Sequence, residues 1–63
     1  MPVITMKLYE GRSTEQKREL AQAFTAETVR ILNCPIGAVE VIFEDVKKSN
    51  WAQAGKLASD QTP

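Results

Sequence analysis

No histidine occurs in this 63-residue chain, and cysteine occurs once, at Cys34. The first absence removes imidazole, the side chain that most readily moves protons near neutral pH and most often ligates zinc. Together the two leave no ligand set for a zinc site, no internal disulfide, and no imidazole to activate Cys34 as a nucleophile. Cys34, just before Pro35, reads as a small apolar loop residue. There is no excess charge either. Eight basic and eight acidic side chains cancel, so the chain lacks the basic field by which nucleic acid or an anionic membrane would hold it. No run approaches the roughly 18 apolar residues of a membrane span, and the start lacks the charged and apolar regions of a secretory leader. The expectation is a cytoplasmic protein with neither nucleic-acid nor membrane partner and no metal or other cofactor.

Size sets the next limit. A chain this short buries only about 60% of the surface its unfolded form exposes, so its own core is marginal. Small domains are held together by disulfides, a metal or assembly. The residues for the first two are missing, which leaves a homo-oligomer. The chain is expected to be one domain over 1–63, with Met1 removed and 59–63 a frayed tail.

What is present is a short pattern of strand, helix and strand. Val3 to Tyr9 alternates, with Ile4, Met6 and Leu8 on one face and Val3, Thr5, Lys7 and Tyr9 on the other. Glu10-Gly11-Arg12 breaks the alternation. Ser13 with Gln16 three residues on has the form of a capping box, which predicts a helix from Thr14 to about Leu32, ended by Asn33 and Pro35. Leu20, Phe24 and Ile31 form its apolar stripe, flanked by Ala21, Ala23, Thr28 and Leu32. Glu15, Arg18, Glu19, Gln22 and Arg30 face water. Val39 to Val46 reads as a second strand, apolar on both faces except at Glu40 and Glu44. A helix crossover between two strands makes them parallel and right-handed in about 98% of cases. One helix covers one face, so the other, with Val3, Thr5, Glu40 and Ile42, is expected to meet another copy of the chain. Trp51 to Ala58 is too apolar for a tail and reads as a small hairpin or arm packed on a neighbour.

The chemistry concentrates at the start. If Met1 is removed, Pro2 becomes a free secondary amine, and an α-amino group titrates at about 7.7 to 8.0, closer to neutrality than lysine at about 10.4. A base poised near the working pH is what proton transfer requires. From position alone a plain reading is favoured: proline fixes φ and starts an edge strand. Likewise Arg12 suits a carboxylate through its bidentate guanidinium, or is simply a solvated turn residue.

Pro2 behind Met1, the run Leu8-Tyr9-Glu10-Gly11-Arg12-Ser13-Thr14-Glu15-Gln16-Lys17, the strand ending Val41-Ile42-Phe43-Glu44, and Trp51 to Gly55 together resemble the 4-oxalocrotonate tautomerase family, over nearly the whole chain. The resemblance implies an α/β fold of β-α-β protomers with parallel strands and a short C-terminal hairpin, paired through their sheets into dimers, three of which form a hexamer. It implies an isomerase of aromatic catabolism that turns enols or dienols of 2-oxo acids, such as 2-hydroxymuconate, into ketones. No cofactor takes part. By the same resemblance Pro2 is general base and acid, Arg12 binds and polarises the substrate carboxylate, and Trp51, in place of the usual phenylalanine, is the apolar wall that desolvates the proline.

Glu40 departs from that pattern. Well-known members carry a second substrate-binding arginine there. The reversed charge removes a clamp for a second carboxylate, which points to monocarboxylate enols over diacids, and favours the protonated form of a nearby amine. Gln53 stands where dehalogenating relatives carry a water-activating glutamate, and an amide cannot take that proton. The alternatives are therefore a hydratase, decarboxylase or dehalogenase relative, and a non-catalytic hexameric scaffold in which Glu40 and Arg12 pair.

Overall fold

Residues 1–61 are described by the structure, a computed structural model. Strand β1 (Val3–Tyr9) alternates as the sequence does: Ile4, Met6 and Leu8 are half-buried, and Val3, Thr5, Lys7 and Tyr9 are exposed. Gly11 takes φ 112°, where a Cβ would be strained, and lets the chain double back at once. Helix α1 (Thr14–Leu32) begins with the capping box that the spacing predicts. The Ser13 hydroxyl accepts the Gln16 N–H at 3.1 Å, and the Gln16 amide oxygen accepts the Ser13 N–H at 3.1 Å. Asn33 ends the helix in the left-handed conformation, φ 55°, its N–H donating to the Val29 carbonyl at 2.9 Å.

Strand β2 (Glu40–Val46) starts one residue later than the alternation predicts. The Val39 N–H instead closes a single 3-10 turn over Ile36–Ala38, donating to the Ile36 carbonyl at 3.3 Å. β1 and β2 run parallel, with Val3 opposite Glu40 at one end and Tyr9 opposite Val46 at the other. α1 lies over the face that carries Ile4, Met6, Leu8, Val41 and Phe43, and turns Leu20, Ala21, Phe24, Thr28 and Val29 toward it. Lys17 ties its first turns to the end of β2 by an ion pair with Asp45 at 2.7 Å.

Two parts of the predicted stripe are not covered. Ala23 sits off the stripe and is exposed. Ile31 and Leu32 are 65% and 59% exposed, although their angular positions match the buried face. Length explains them. The 19 residues of α1 span about 28 Å and the seven residues of a strand about 23 Å, so the last turn overhangs the sheet.

After a 3-10 turn at Lys48–Asn50, β3 (Ala52–Gln53) and β4 (Lys56–Leu57) make the expected hairpin, Gln53 opposite Lys56. Trp51 packs edge-on against Tyr9, ring centroids 4.8 Å apart and planes at 68°, which anchors the arm to the far end of β1. The Ala58 N–H donates to the Trp51 carbonyl at 2.7 Å and closes the base of the hairpin. Ser59, Asp60 and Gln61, expected to fray, instead follow Ala58 into one helical turn, α2 (Ala58–Gln61). Thr62 and Pro63, the rest of that expected tail, lie outside the described residues.

The hairpin turn holds Ala54 at φ 54° and Gly55 at φ 80°. Positive φ at both central residues is the twist a two-residue hairpin needs, and asparagine followed by glycine is its preferred sequence. Alanine in the left-handed region costs about 1 kcal/mol or more. Ala54→Asn is therefore expected to raise stability by about 0.5 to 1 kcal/mol, without the unfolded-state entropy that glycine would add. Denaturant midpoints at one fixed protein concentration measure this, and an unchanged or lower midpoint would count against strain at Ala54.

Among the described residues no hydrophobic side chain is fully buried. The chain exposes 4967 Å², against about 4,000 Å² for a compact monomer of its mass. Its radius of gyration is 14.9 Å, against about 11 Å for a compact domain of this length. The excess comes from a thin slab whose second face is open, with Val3 and Ile42 51% and 50% exposed on it. A two-stranded sheet of this kind is marginal by itself in water.

Candidate active site

The five side chains singled out in the sequence fall at two ends of β1. Pro2 is half-buried at the start of the ladder, where its carbonyl accepts the Glu40 N–H at 3.0 Å. Proline has no N–H to lose, so it begins the strand at no cost in hydrogen bonds. That bond sets Glu40 beside it. The Glu40 side chain is exposed on the open face of the sheet, and among the described residues its carboxylate has no ion-pair or hydrogen-bond partner.

Arg12, Trp51 and Gln53 come together at the other end. Arg12 follows the Gly11 turn and borders an apolar cleft of about 410 Å³ with Met6, Leu8, Tyr9, Leu20, Trp51 and Gln53. A second cleft, of about 450 Å³, lies between Tyr9 and the hairpin, with Lys48, Lys56 and Gln61 on its rim. Tyr9, Trp51 and Gln53 wall both. The Lys48 ammonium sits 5.5 Å from the centre of the Tyr9 ring, within reach of a cation–π attraction. Tyr9, Lys48 and Lys56 escaped the sequence reading. Tyr9 lies inside the Leu8-to-Lys17 run that carries the family resemblance, but the two lysines belong to segments whose only signal was the end of one strand and the turn of a hairpin.

Seven residues of β1 separate the two ends, about 23 Å. Pro2 and Arg12 of one chain therefore do not reach the same small molecule, and Arg12 does not pair with Glu40 within a protomer. Of the eight basic side chains, Lys17, Arg18 and Arg30 are in ion pairs with Asp45, Glu15 and Glu27. The Arg30 guanidinium meets Glu27 through two hydrogen bonds, 3.0 and 2.8 Å, which hold the Glu27 carboxyl below its ordinary range, on the solvent side of α1 and remote from both clefts. Among the described residues no group of three histidine, cysteine or acidic side chains is placed to hold a metal.

Comparison with known proteins gives the setting for this geometry. The family described as Tautomerase enzyme matches residues 2–61. A 2-hydroxymuconate tautomerase of Bacillus subtilis is 37% identical over 60 residues, 95% of this chain and 97% of that one. A solved 4-oxalocrotonate tautomerase homologue superposes with a TM-score of 0.91 at 40% identity, covering 100% of both chains. A heterohexamer 4-oxalocrotonate tautomerase from Chloroflexus aurantiacus superposes with a TM-score of 0.91 at 32% identity, covering 98% of this chain and 100% of that one.

Proposed function

The chain belongs to the tautomerase family and is an isomerase of that type, and from that premise we propose that it converts enols or dienols of 2-oxo acids to ketones with Pro2 as the proton carrier. The observation that carries the reading is that the family match begins at residue 2 itself. Met1 is 83% exposed and open to removal, which would free the Pro2 amine. That amine takes the hydroxyl proton of the enol. The electron pair of the O–H bond closes the carbonyl, the double bond shifts, and the same proton returns to carbon, so that nothing is gained or lost. Arg12 holds the carboxylate beside the reacting carbons and draws charge toward it as the enolate forms. Trp51 keeps water from the amine. Glu40, beside Pro2, favours the charged form of the amine.

The separation of Pro2 from Arg12 makes the site a shared one. We propose that the open sheet face pairs with a second copy and that dimers assemble into a hexamer, so that Pro2 of one protomer meets Arg12 and Trp51 of another. The heterohexameric relative supports this, and so does the uncovered face. Two impaired variants test it. Pro2→Ala and Arg12→Ala chains, unfolded together in equal amounts and refolded, should regain about a quarter of the wild-type activity, since random assembly leaves both residues intact in that share of sites. Refolded separately, each should regain only its own low residual activity. Mixtures as inactive as their components would place both residues in one chain and end the shared-site reading.

A further inference from the structure

The Pro2 end of the molecule holds a single charged side chain. Residues 1–6, 31–39 and 41–43, which form the start of β1, the end of α1, the turn after it and the first half of β2, include no acidic or basic residue, and Glu40 stands among them. The Lys17–Asp45 ion pair fixes the start of α1 at the far end of the sheet, so its last turn comes down at this end, where Ile31, Leu32 and Ile36 are exposed. The cation on the open face of β1, Lys7, stands opposite Glu44 in the register and about 13 Å along the strand from Val3, the neighbour of Glu40. Arg30 is already paired with Glu27. Among the described residues the Glu40 carboxylate therefore has no partner. Its place beside the reacting nitrogen is fixed by the backbone. The Glu40 N–H donates to the Pro2 carbonyl at 3.0 Å, across a ladder whose strands lie about 4.8 Å apart. Wherever assembly puts Pro2, Glu40 goes with it.

In an assembled site, with apolar residues around it, this carboxylate needs a cation, because a desolvated charge without one is destabilising. The reaction decides which cation that is. The Pro2 amine is neutral at the moment it acts as a base, and the Arg12 guanidinium that joins it from another protomer is taken up by the substrate carboxylate. What remains is a cation carried by the substrate. We propose that Glu40 binds a protonated amine on the substrate, so that this site takes enols of 2-oxo acids bearing an ammonium group at the end remote from the carboxylate. This rests on the tautomerase reading of the same site and names its substrate class. Charge then balances at both ends, Arg12 against the carboxylate and Glu40 against the ammonium. The exclusion of diacids that Glu40 suggests is the same effect with the sign reversed: the group that repels a second carboxylate attracts a cation.

Three enols of one shape separate the charges: phenylenolpyruvate and its derivatives with an aminomethyl or a carboxylate group in the para position, which at neutral pH carry a cation and an anion on the ring. Wild-type assembled protein should ketonise the aminomethyl compound with kcat/KM about tenfold above phenylenolpyruvate, and the carboxylate compound about tenfold below it. Ratios between substrates within one enzyme cancel any effect of Glu40 on the Pro2 amine, which acts on all three alike. In Glu40→Gln the spread should shrink to about twofold, in Glu40→Arg the order should reverse, and in Glu40→Asp it should be kept. A wild type without this order, or a glutamine variant that keeps it, overturns the proposal. So does a glutamine variant that no longer sediments as the wild type does, because its carboxylate is then held in a subunit contact. Calorimetry with the unreactive para-(aminomethyl)hydrocinnamate and hydrocinnamate measures binding without turnover. A wild type that ketonises none of the enols, yet binds the aminomethyl acid about tenfold more tightly through Glu40, refutes the tautomerase reading and leaves the cation site standing. One that ketonises all three equally keeps the tautomerase reading and ends this one.

Discussion

Leaving Met1 in place, or adding any residue ahead of Pro2, is expected to lower kcat/KM for enol ketonisation by about 10² to 10⁴-fold, the range that a positioned acid or base contributes. Acylation turns the proline nitrogen into an amide, whose lone pair is delocalised and takes no proton. The added residue leaves from an exposed end of β1, where Met1 already points to solvent, so assembly and fold should be kept. Pro2→Ala keeps an amine and should lose less. The pH profile identifies the group. A base that must be free gives an acidic limb in kcat/KM, below which activity falls as the amine takes up its proton. Glu40 stabilises that proton if it stands beside the amine in the assembled site. Removing its charge makes the ammonium easier to deprotonate, so Glu40→Gln should move the limb to lower pH. Intact-mass measurement fixes which terminus is present in each sample. Full activity from a chain whose proline nitrogen is acylated would defeat the mechanism, whatever the fold.

The parts of this protein that local chemistry decides were legible in the sequence. Ser13 and Gln16 cap α1 because a hydroxyl and an amide at that spacing satisfy each other's backbone partners. β1 alternates because its side chains do, and the parallel register with β2 follows from a crossover through one helix. What local pattern could not decide depends on where elements end relative to each other. Ile31 and Leu32 lie on the correct face of α1 and are exposed because the sheet stops beneath them. The Trp51 end of the site was hidden for a related reason. Lys48 and Lys56 are eight positions apart in segments of different structure, and the closure of the hairpin by the Ala58 N–H on the Trp51 carbonyl, together with the contact of Trp51 with Tyr9, brings them to one cleft. Pro2, Arg12 and Trp51 are singled out as candidates by a family resemblance, and the structure separates the first from the other two by the length of a strand.

A charge on the open face of the sheet should have an effect as large as the loss of the amine, and by a different route. Ile42 is half exposed, opposite Thr5 and on the face it shares with Val3. The accessible surface exceeds that of a compact monomer by about 1,000 Å², somewhat more than the roughly 800 Å² that one partner buries in a standard interface. If a second copy covers that face, Ile42→Asp places an unpaired carboxylate between two sheets, at a cost of several kcal/mol in each protomer. Total stability of small domains is about 5 to 15 kcal/mol. With no fully buried hydrophobic side chain among its described residues, the protomer has little to set against that cost. Assembly, helical signal and activity are therefore expected to disappear together in Ile42→Asp, and to return in part at high protein concentration, because stability that resides in an interface depends on it. Gln22→Asp, on the solvent side of α1, should change none of the three. Sedimentation velocity with circular dichroism across a dilution series measures size and fold on the same samples. A wild-type chain that stays folded as a 7.0 kDa monomer on dilution, or an Ile42→Asp chain that sediments as the wild type does, would leave the open face without a partner and the shared site without its second half.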